Sequence, residues 1–238
     1  MTPEETFQFV CAYNATLGPI IRRHNGFINQ YLGDAIMALF PGSATDALAA
    51  AIEMKKNIHE LNIKRSFQDL SPIQIGIGMH TGSLIMGITG DKDRLDATTI
   101  SDTVNTSSRL EGLTKYYKAG IILSGSCLEQ IKDKGKFHLR YIGMVQLKGK
   151  QQPVKIHECF SGNAKEDIFK KQKTLDTFNE GINNYLNRSF ETAVRSFLSV
   201  AEEHPEDRTA EFFLTNAKQY LQKGVPENWS GILEMTSK

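Results

Sequence analysis

Three short stretches of this sequence carry side chains whose type and spacing suit chemistry on a phosphorylated substrate. The first is Tyr31-Leu32-Gly33-Asp34-Ala35-Ile36-Met37-Ala38, which sets one carboxylate on a tight turn between two apolar runs. A carboxylate held there is rigid and exposed, which suits a hard cation, because Mg2+ is usually bound through one or two carboxylates together with substrate phosphates. Taken alone, Gly33-Asp34 is first of all a hairpin turn. The second stretch runs from Arg94 to Glu111, and in it Asn105 and Arg109 stand four apart, so that on a helix they project from one face. Asn can bond a ribose oxygen, and Arg offers a forked, charged donor to phosphate. An isolated pair of this kind is ordinarily a solvent-facing Arg beside an incidental Asn. The third is Gln146-Leu147-Lys148-Gly149-Lys150, which ends a strand with a cation beside a glycine that permits close backbone approach. By itself it is a basic turn.

The elements that must position these groups follow from periodicity and punctuation. Residues 3–24 read as a helix, with Thr2 as N-cap, Pro3 at the first position, Glu5 completing a capping box, and Phe7, Val10, Leu17 and Ile21 as its apolar stripe. Residues 26–40 predict a hairpin with Asp34 at its tip, and the Ala-rich stretch 43–62 a second helix. A second hairpin is expected from Ile73–His80 against Ser83–Thr89, with Thr81-Gly82 at the turn. A helix over 101–117, strands at Ile121–Ser124, Leu139–Leu147 and Val154–Phe160, and a short helix at 126–133 complete the unit. This order gives an α+β layer fold with helices on one face of a mostly antiparallel sheet.

After Gly162 the chain becomes strand-poor. Helices are expected at Thr174–Asn187, Phe190–Glu203 and about Arg208–Lys223, before Pro226. Gly181, Ala193, Phe197 and Pro205 fall at the spacing of the small, aromatic and terminating positions of a tetratricopeptide unit, although a plain helical hairpin gives the same pattern. A single copy cannot bury both its faces, so this tail should pack on the preceding domain or on a protein partner.

Bulk composition narrows the function classes. A net charge of +1, from 28 Lys and Arg against 27 Asp and Glu, leaves no broad positive field for nucleic acid or an anionic membrane. Three cysteines, Cys11, Cys127 and Cys159, follow neither a disulfide nor a zinc pattern and fit a reducing compartment. No apolar run approaches the ~18 residues of a membrane span, so a cytoplasmic location is expected, or the cytoplasmic part of a longer, membrane-anchored protein.

The three stretches, together with Asn25-Gly26-Phe27-Ile28 through Leu39-Phe40-Pro41, Gly76-Ile77-Gly78-Met79-His80-Thr81-Gly82, Asp102-Thr103-Val104-Asn105 with Arg109, and Leu147-Lys148-Gly149, resemble the class III adenylate and guanylate cyclase family. The resemblance runs in order from Thr2 to Phe160, and the helical end with Trp229-Ser230-Gly231 is similar to the tail of some bacterial members. It implies a ferredoxin-like cyclase domain over 1–162 and a tetratricopeptide-like tail over 163–238. It also implies a homodimer with sites shared between subunits, two Mg2+ or Mn2+ ions per site, and conversion of ATP to cyclic AMP and pyrophosphate. In that family pattern Asp34 is a metal ligand, Asn105 orients the ribose, Arg109 stabilises charge at the α-phosphate, and Lys148 neutralises the departing phosphates. Gln30 and Thr98 would read the base.

The sequence departs from the pattern in two places. The family's first metal aspartate lies on a strand of the form Phe-x-Asp-Ile-x-x-Phe, which also supplies a phosphate cradle and a core strand, and this chain contains no such stretch. Asp46, Asp91, Asp93 and Asp96 do not replace it, since the first opens a helix and the others sit in a loop or around a turn. The chain alone is therefore expected to be inactive or nearly so. Gln30 stands where adenylate cyclases of the bacterial type commonly have Lys and guanylate cyclases Glu; with Thr98, and with Ala97 and Ser101 beside it in place of an aromatic and a glycine, it favours ATP while leaving GTP open. Two rival readings are a non-catalytic cyclase homology domain that dimerises or docks a partner, and a diguanylate cyclase. The second is disfavoured because Gly33-Asp34-Ala35-Ile36 lacks that family's second acid and aromatic.

Overall fold

The computed structural model describes residues 2–91, 95–148, 150 and 152–234. Helix α1 spans Pro3–Arg23 and begins with the expected box, the Glu5 amide donating to Thr2 Oγ1 at 3.2 Å and the Thr2 amide to Glu5 Oε2 at 2.6 Å. Strands β1 (Phe27–Leu32) and β2 (Ala35–Leu39) form the first hairpin, closed at Gly33 with φ +65°, a conformation that favours glycine. Helix α2 (Ala44–Ser66) is capped by the Ser43 hydroxyl, and α3 (Asp102–Tyr117) by that of Ser101.

The main sheet has five strands in the order β3 (Ile77–Met79), β6 (Ile121–Ser124), β8 (Val154–Cys159), β7 (Leu139–Gln146), β9 (Ile232–Glu234). Pairs β3/β6 and β7/β9 are parallel, and the other two are antiparallel. Successive residues of β6 show how the core divides. Ile121 and Leu123 pack with Leu48 and Ile52 of α2 and Cys127 of α4 (Gly125–Gln130). Ile122 packs with Leu110, Leu113 and Tyr117 of α3 and with the helices that follow Gly162. Because strand side chains alternate between faces, the sheet is covered on both sides. The α+β architecture is as expected, but the helices do not lie on one face: α2 and α4 cover one side, and α3 with the tail helices covers the other.

The expected hairpin of Ile73–His80 with Ser83–Thr89 is also corrected. Ile77–Met79 pairs in parallel with Ile121–Leu123, while β4 (Ile85–Gly90) pairs antiparallel with β5 (Leu95–Ile100), from Ile85↔Ile100 to Gly90↔Leu95. The Thr81-Gly82 step is a packing contact and no turn, since a Cβ on Gly82 would run into the Thr103 hydroxyl.

Beyond Gly162 come α5 (Lys165–Lys173), α6 (Leu175–Leu186), α7 (Phe190–Glu203) and α8 (Arg208–Lys223). Gly181 lets α6 and α7 meet closely, because a Cβ there would lie 2.8 Å from Phe197 Cε1. The likeness to a tetratricopeptide unit rests on that spacing alone. The tail is joined to the sheet by a buried ion cluster. Arg140 of β7 donates from Nε to Glu158 at 2.6 Å and from Nη1 and Nη2 to Asp207 at 2.6 and 2.8 Å, and Lys171 Nζ reaches Glu158 at 2.9 Å. The Arg140, Glu158 and Asp207 side chains are all at most 1% exposed. The guanidinium also lies 3.9 Å from the Phe178 ring centroid. No helix among the described residues is long and apolar enough to cross a membrane.

Candidate functional site

What puts Asn105 and Arg109 in place is the near contact of α3 with β3. Gly76 and Gly78 point at the helix: a Cβ on Gly78 would fall inside contact distance of Glu111 N and Ser107 O and 2.8 Å from Glu111 Cα. The Ser107 hydroxyl fixes the approach by donating to Gly78 O at 2.8 Å. With α3 laid down in this way, Asn105 is exposed and Arg109, one turn on, is half-buried.

Arg109 Nη1 donates to the Lys148 carbonyl, so the structure brings two of the expected residues together across a long stretch of chain. The Lys148 side chain is exposed. Its loop is held by further contacts that sequence reasoning did not single out. Lys150 pairs with Asp102 in the first turn of α3, the Lys150 amide donates to Leu147 O at 3.0 Å, and Gln146 Nε2 donates to Lys150 O at 2.5 Å. The Lys150 ammonium holds the Asp102 carboxyl below its ordinary range. Beneath this pair His80 Nδ1 meets Ser124 Oγ at 2.8 Å, and burial, then Lys150, lowers the pKa of the ring. Lys150 was within the quoted Lys148-Gly149-Lys150 motif, so a signal existed. Asp102 and His80 lie in the Asp102–Asn105 and Gly76–Gly82 stretches named above, but what they bond appears only once α3 is packed.

Gln30 is exposed on β1 next to a bulge at Asn29, opposite Met37. Thr99 Oγ1 donates to Asn29 Oδ1 at 2.9 Å, a side-chain bond between β1 and β5 made by the residues next to Gln30 and Thr98. The Thr98 backbone pairs with Gly87; its side chain lies outside the described residues, as do Arg94 and Gly149. Asp34 is exposed at its hairpin tip, and burial, followed by the Asp34 charge, raises the phenol pKa of nearby Tyr13. Among the described residues no group of three or more His, Cys, Asp or Glu is placed to hold a metal. Asp34 alone does not make a two-ion site, so the residues present fit only half of the expected metal centre.

Asn105 and Arg109 thus lie one turn apart on the first half of α3, with the Lys148 backbone bonded at Arg109, and Asp34 projects from a separate hairpin. The model of the adenylate and guanylate cyclase catalytic domain matches residues 1–160, which include all of these groups. The chain belongs to that family. Its cyclase domain is 43% identical over 164 residues to an adenylate cyclase of Anabaena cylindrica, covering 66% of this chain and 33% of that protein. An adenylate cyclase of Dictyostelium discoideum, described as terminal-differentiation specific, is 31% identical over 228 residues, covering 93% of this chain and 11% of that protein. The cyclase chain therefore spans a third or less of the length of these relatives. Among solved structures it is similar to the guanylyl cyclase Cya2, with a TM-score of 0.57 and 30% identity over 67% of this chain and 82% of that one. It is likewise similar to the adenylyl cyclase CyaB from P. aeruginosa, with a TM-score of 0.58 and 27% identity over 67% and 84%.

Proposed function

We propose that this cyclase domain converts ATP to cyclic AMP and pyrophosphate. The observation that carries the reading is the seating of the Lys148 loop on the first half of α3, which bears Asn105 and Arg109. In the reaction the ribose 3′-hydroxyl gives up its proton to solvent as its oxygen bonds to the α-phosphorus, the bond from the α-phosphorus to the bridging β-phosphate oxygen breaks, and pyrophosphate leaves. Asn105 holds the ribose, Arg109 leaves the Lys148 carbonyl for the α-phosphate, and the Lys148 ammonium faces the leaving phosphates. Positioning and charge account for nearly all the rate in phosphoryl chemistry of this kind. Members of the family generally work with divalent ions, here Mg2+ or Mn2+, which supply charge at the triphosphate. No step is assigned to them, because this chain offers only Asp34.

The second carboxylate is read as coming from a strand of the form Phe-x-Asp. Strands β2 and β3 each have a single neighbour among the described residues, so both keep an edge on which such a strand could add. The active unit is read as a homodimer in which one subunit gives Asp34 and the other Asn105, Arg109 and Lys148. Exposed Ile85, Met86 and Ile88 on β4, with Tyr31 and Leu32 on β1, support a surface covered by a second copy.

The test uses the chain extended by that strand. With Mg2+ or Mn2+ it should release cyclic AMP and pyrophosphate, while Asp34→Ala and Arg109→Ala each abolish the activity. Mixing the two inactive variants should restore about a quarter of it, since random pairing makes about half the dimers mixed, each with one intact site. An extended, folded protein that makes no cyclic nucleotide would instead mark a non-catalytic homology domain. Folded variants that never complement would rule out shared sites.

Base preference provides a separate prediction. The Gln30 amide can turn to donate to adenine N1 or to accept from guanine N1–H, whereas a Lys ammonium can only donate. Guanine facing Lys would leave a buried polar group unpaired, at about 1–3 kcal/mol. Gln30→Lys should therefore raise the ratio of kcat/KM for ATP over GTP by roughly five- to a hundredfold. A ratio that is already high and does not move would take base reading away from Gln30.

A further inference from the structure

Helix α3 carries Asn105 in its first turn and Arg109 at its middle and ends in Tyr116-Tyr117, and those two rings are gripped by the tail. Tyr116 meets Phe212 edge to face at 4.9 Å between centroids, and Tyr117 lies 5.1 Å from Phe212 and 5.9 Å from Phe213. Both phenylalanines belong to α8, which is fixed at each end. At its start the N-cap Asp207 accepts from the Ala210 amide at 3.1 Å while both carboxylate oxygens are bonded by Arg140 of β7. At its far end Tyr220 packs 5.5 Å from Trp229, just before the chain adds β9 beside β7. Phe213 is further wedged against Phe178, Phe197 and Tyr185.

We propose that α8 is a brace for the helix that bears Asn105 and Arg109, with Phe212 and Phe213 as positioning residues that set the axis of α3. The functional half of this rests on the cyclase reading above; the brace itself does not. The contact with Gly78, at Ser107 to Glu111, acts as a fulcrum. At 1.5 Å per residue, Tyr117 lies about 12 Å beyond its middle and Asn105 about 6 Å before it. A shift of about 1 Å at Tyr117 therefore swings Asn105 by about 0.5 Å the other way. Misplacement by 1 Å can cost about a hundredfold in rate, so half of that corresponds to about tenfold. On this view residues 163–234 are part of the catalytic unit, and their contacts serve the site before any outside partner.

The test compares Phe212→Ala, Phe212→Leu and Phe212→Tyr in the 238-residue chain by amide hydrogen exchange and by the NMR signal of the Asn105 side-chain amide. The expected result for Phe212→Ala is an exchange rate in α3 raised about tenfold, unchanged exchange in α2 and the β1–β2 hairpin, and a moved Asn105 side-chain amide signal, with Arg109 at the pivot keeping its bond to the Lys148 carbonyl. Phe212→Leu should lie between, and Phe212→Tyr should keep both readings at their wild-type values. In the strand-extended protein, kcat should fall about tenfold with KM within twofold. Unchanged α3 exchange, or an equal rise in α2, would overturn the brace. Loosened α3 with an unmoved Asn105 signal and unmoved kcat would overturn its role in positioning. If the extended wild type makes no cyclic nucleotide, the cyclase reading fails, and the exchange and NMR readings still decide the brace.

Discussion

Replacing Gly78 by alanine is expected to detach α3 from the sheet and to remove activity with it. The new methyl would meet Glu111 N, Ser107 O and Glu111 Cα, all backbone atoms of a helix, which cannot rotate aside as a side chain can. The helix must lift by about 1 Å or more, and overpacking of this kind costs about 1–3 kcal/mol. Loss of the 2.8 Å bond from Ser107 to Gly78 O adds about 1 kcal/mol. Against a total stability of about 5–15 kcal/mol, that is a large share. A denaturant midpoint should drop accordingly. In the extended enzyme kcat should fall by about a hundredfold, because Asn105 and Arg109 travel with the helix. A Gly78→Ala protein with the wild-type midpoint would show that α3 does not rest on this glycine.

Arg140→Met should be at least as damaging, for an electrostatic reason. Burial works against the Arg140 charge, but Glu158 and Asp207 more than offset it and hold the guanidinium protonated. Asp207 in turn is carried from 3.8 to about 2: burial would raise it, and the Arg140 bonds overcome that. Taking away one partner leaves Glu158 and Asp207 facing a single lysine in a buried site, which typically costs about 3–5 kcal/mol. The pH dependence follows from the signs. In the native protein the folded pKa of Asp207 is depressed, so its contribution is full above the ordinary carboxylate value and is lost as pH falls through about 2. In the variant burial is no longer overcome, the two carboxyls take up protons more readily folded than unfolded, and acid relieves the penalty. Chemical denaturation of both proteins from pH 7 down to pH 3 should show a gap that narrows. A gap that is constant or widens would mean that the cluster is not what joins tail to sheet.

Much of this arrangement was legible because local rules agree with the fold at those places. The capping box at Thr2 and Glu5, the Gly33-Asp34 tip and the strand Ile121–Ser124 all depend on near neighbours, and all appear where expected. The errors arise where a residue serves a distant partner. Thr81-Gly82 looks like a turn, yet Gly82 is there to clear Thr103. Strand β5 escaped notice because Asp96-Ala97-Thr98-Thr99 has little apolar alternation, its partner β4 being largely exposed. Helix α5 was not expected, because Lys171 is a surface residue by type and is buried here by its pairing with Glu158 and its place over the Phe160 ring. At the site, Arg109 and Lys148 could be named from their motifs, but the bond between them, and the Asp102 to Lys150 pair beside it, exist only once α3 and the β7 loop have met.

The pairing of β9 with β7 also sets an order of events during synthesis on the ribosome. Residues 144–146 are made early, but their parallel partners are residues 232–234, and every tail helix must be laid down in between. Contacts so distant along the chain form slowly, and until they form the β7 edge and the aromatic faces of α3 and α6 are uncovered. A nascent cyclase domain therefore spends the whole translation time of its tail with an unfinished sheet, the interval in which an open strand edge is most prone to pair with another chain.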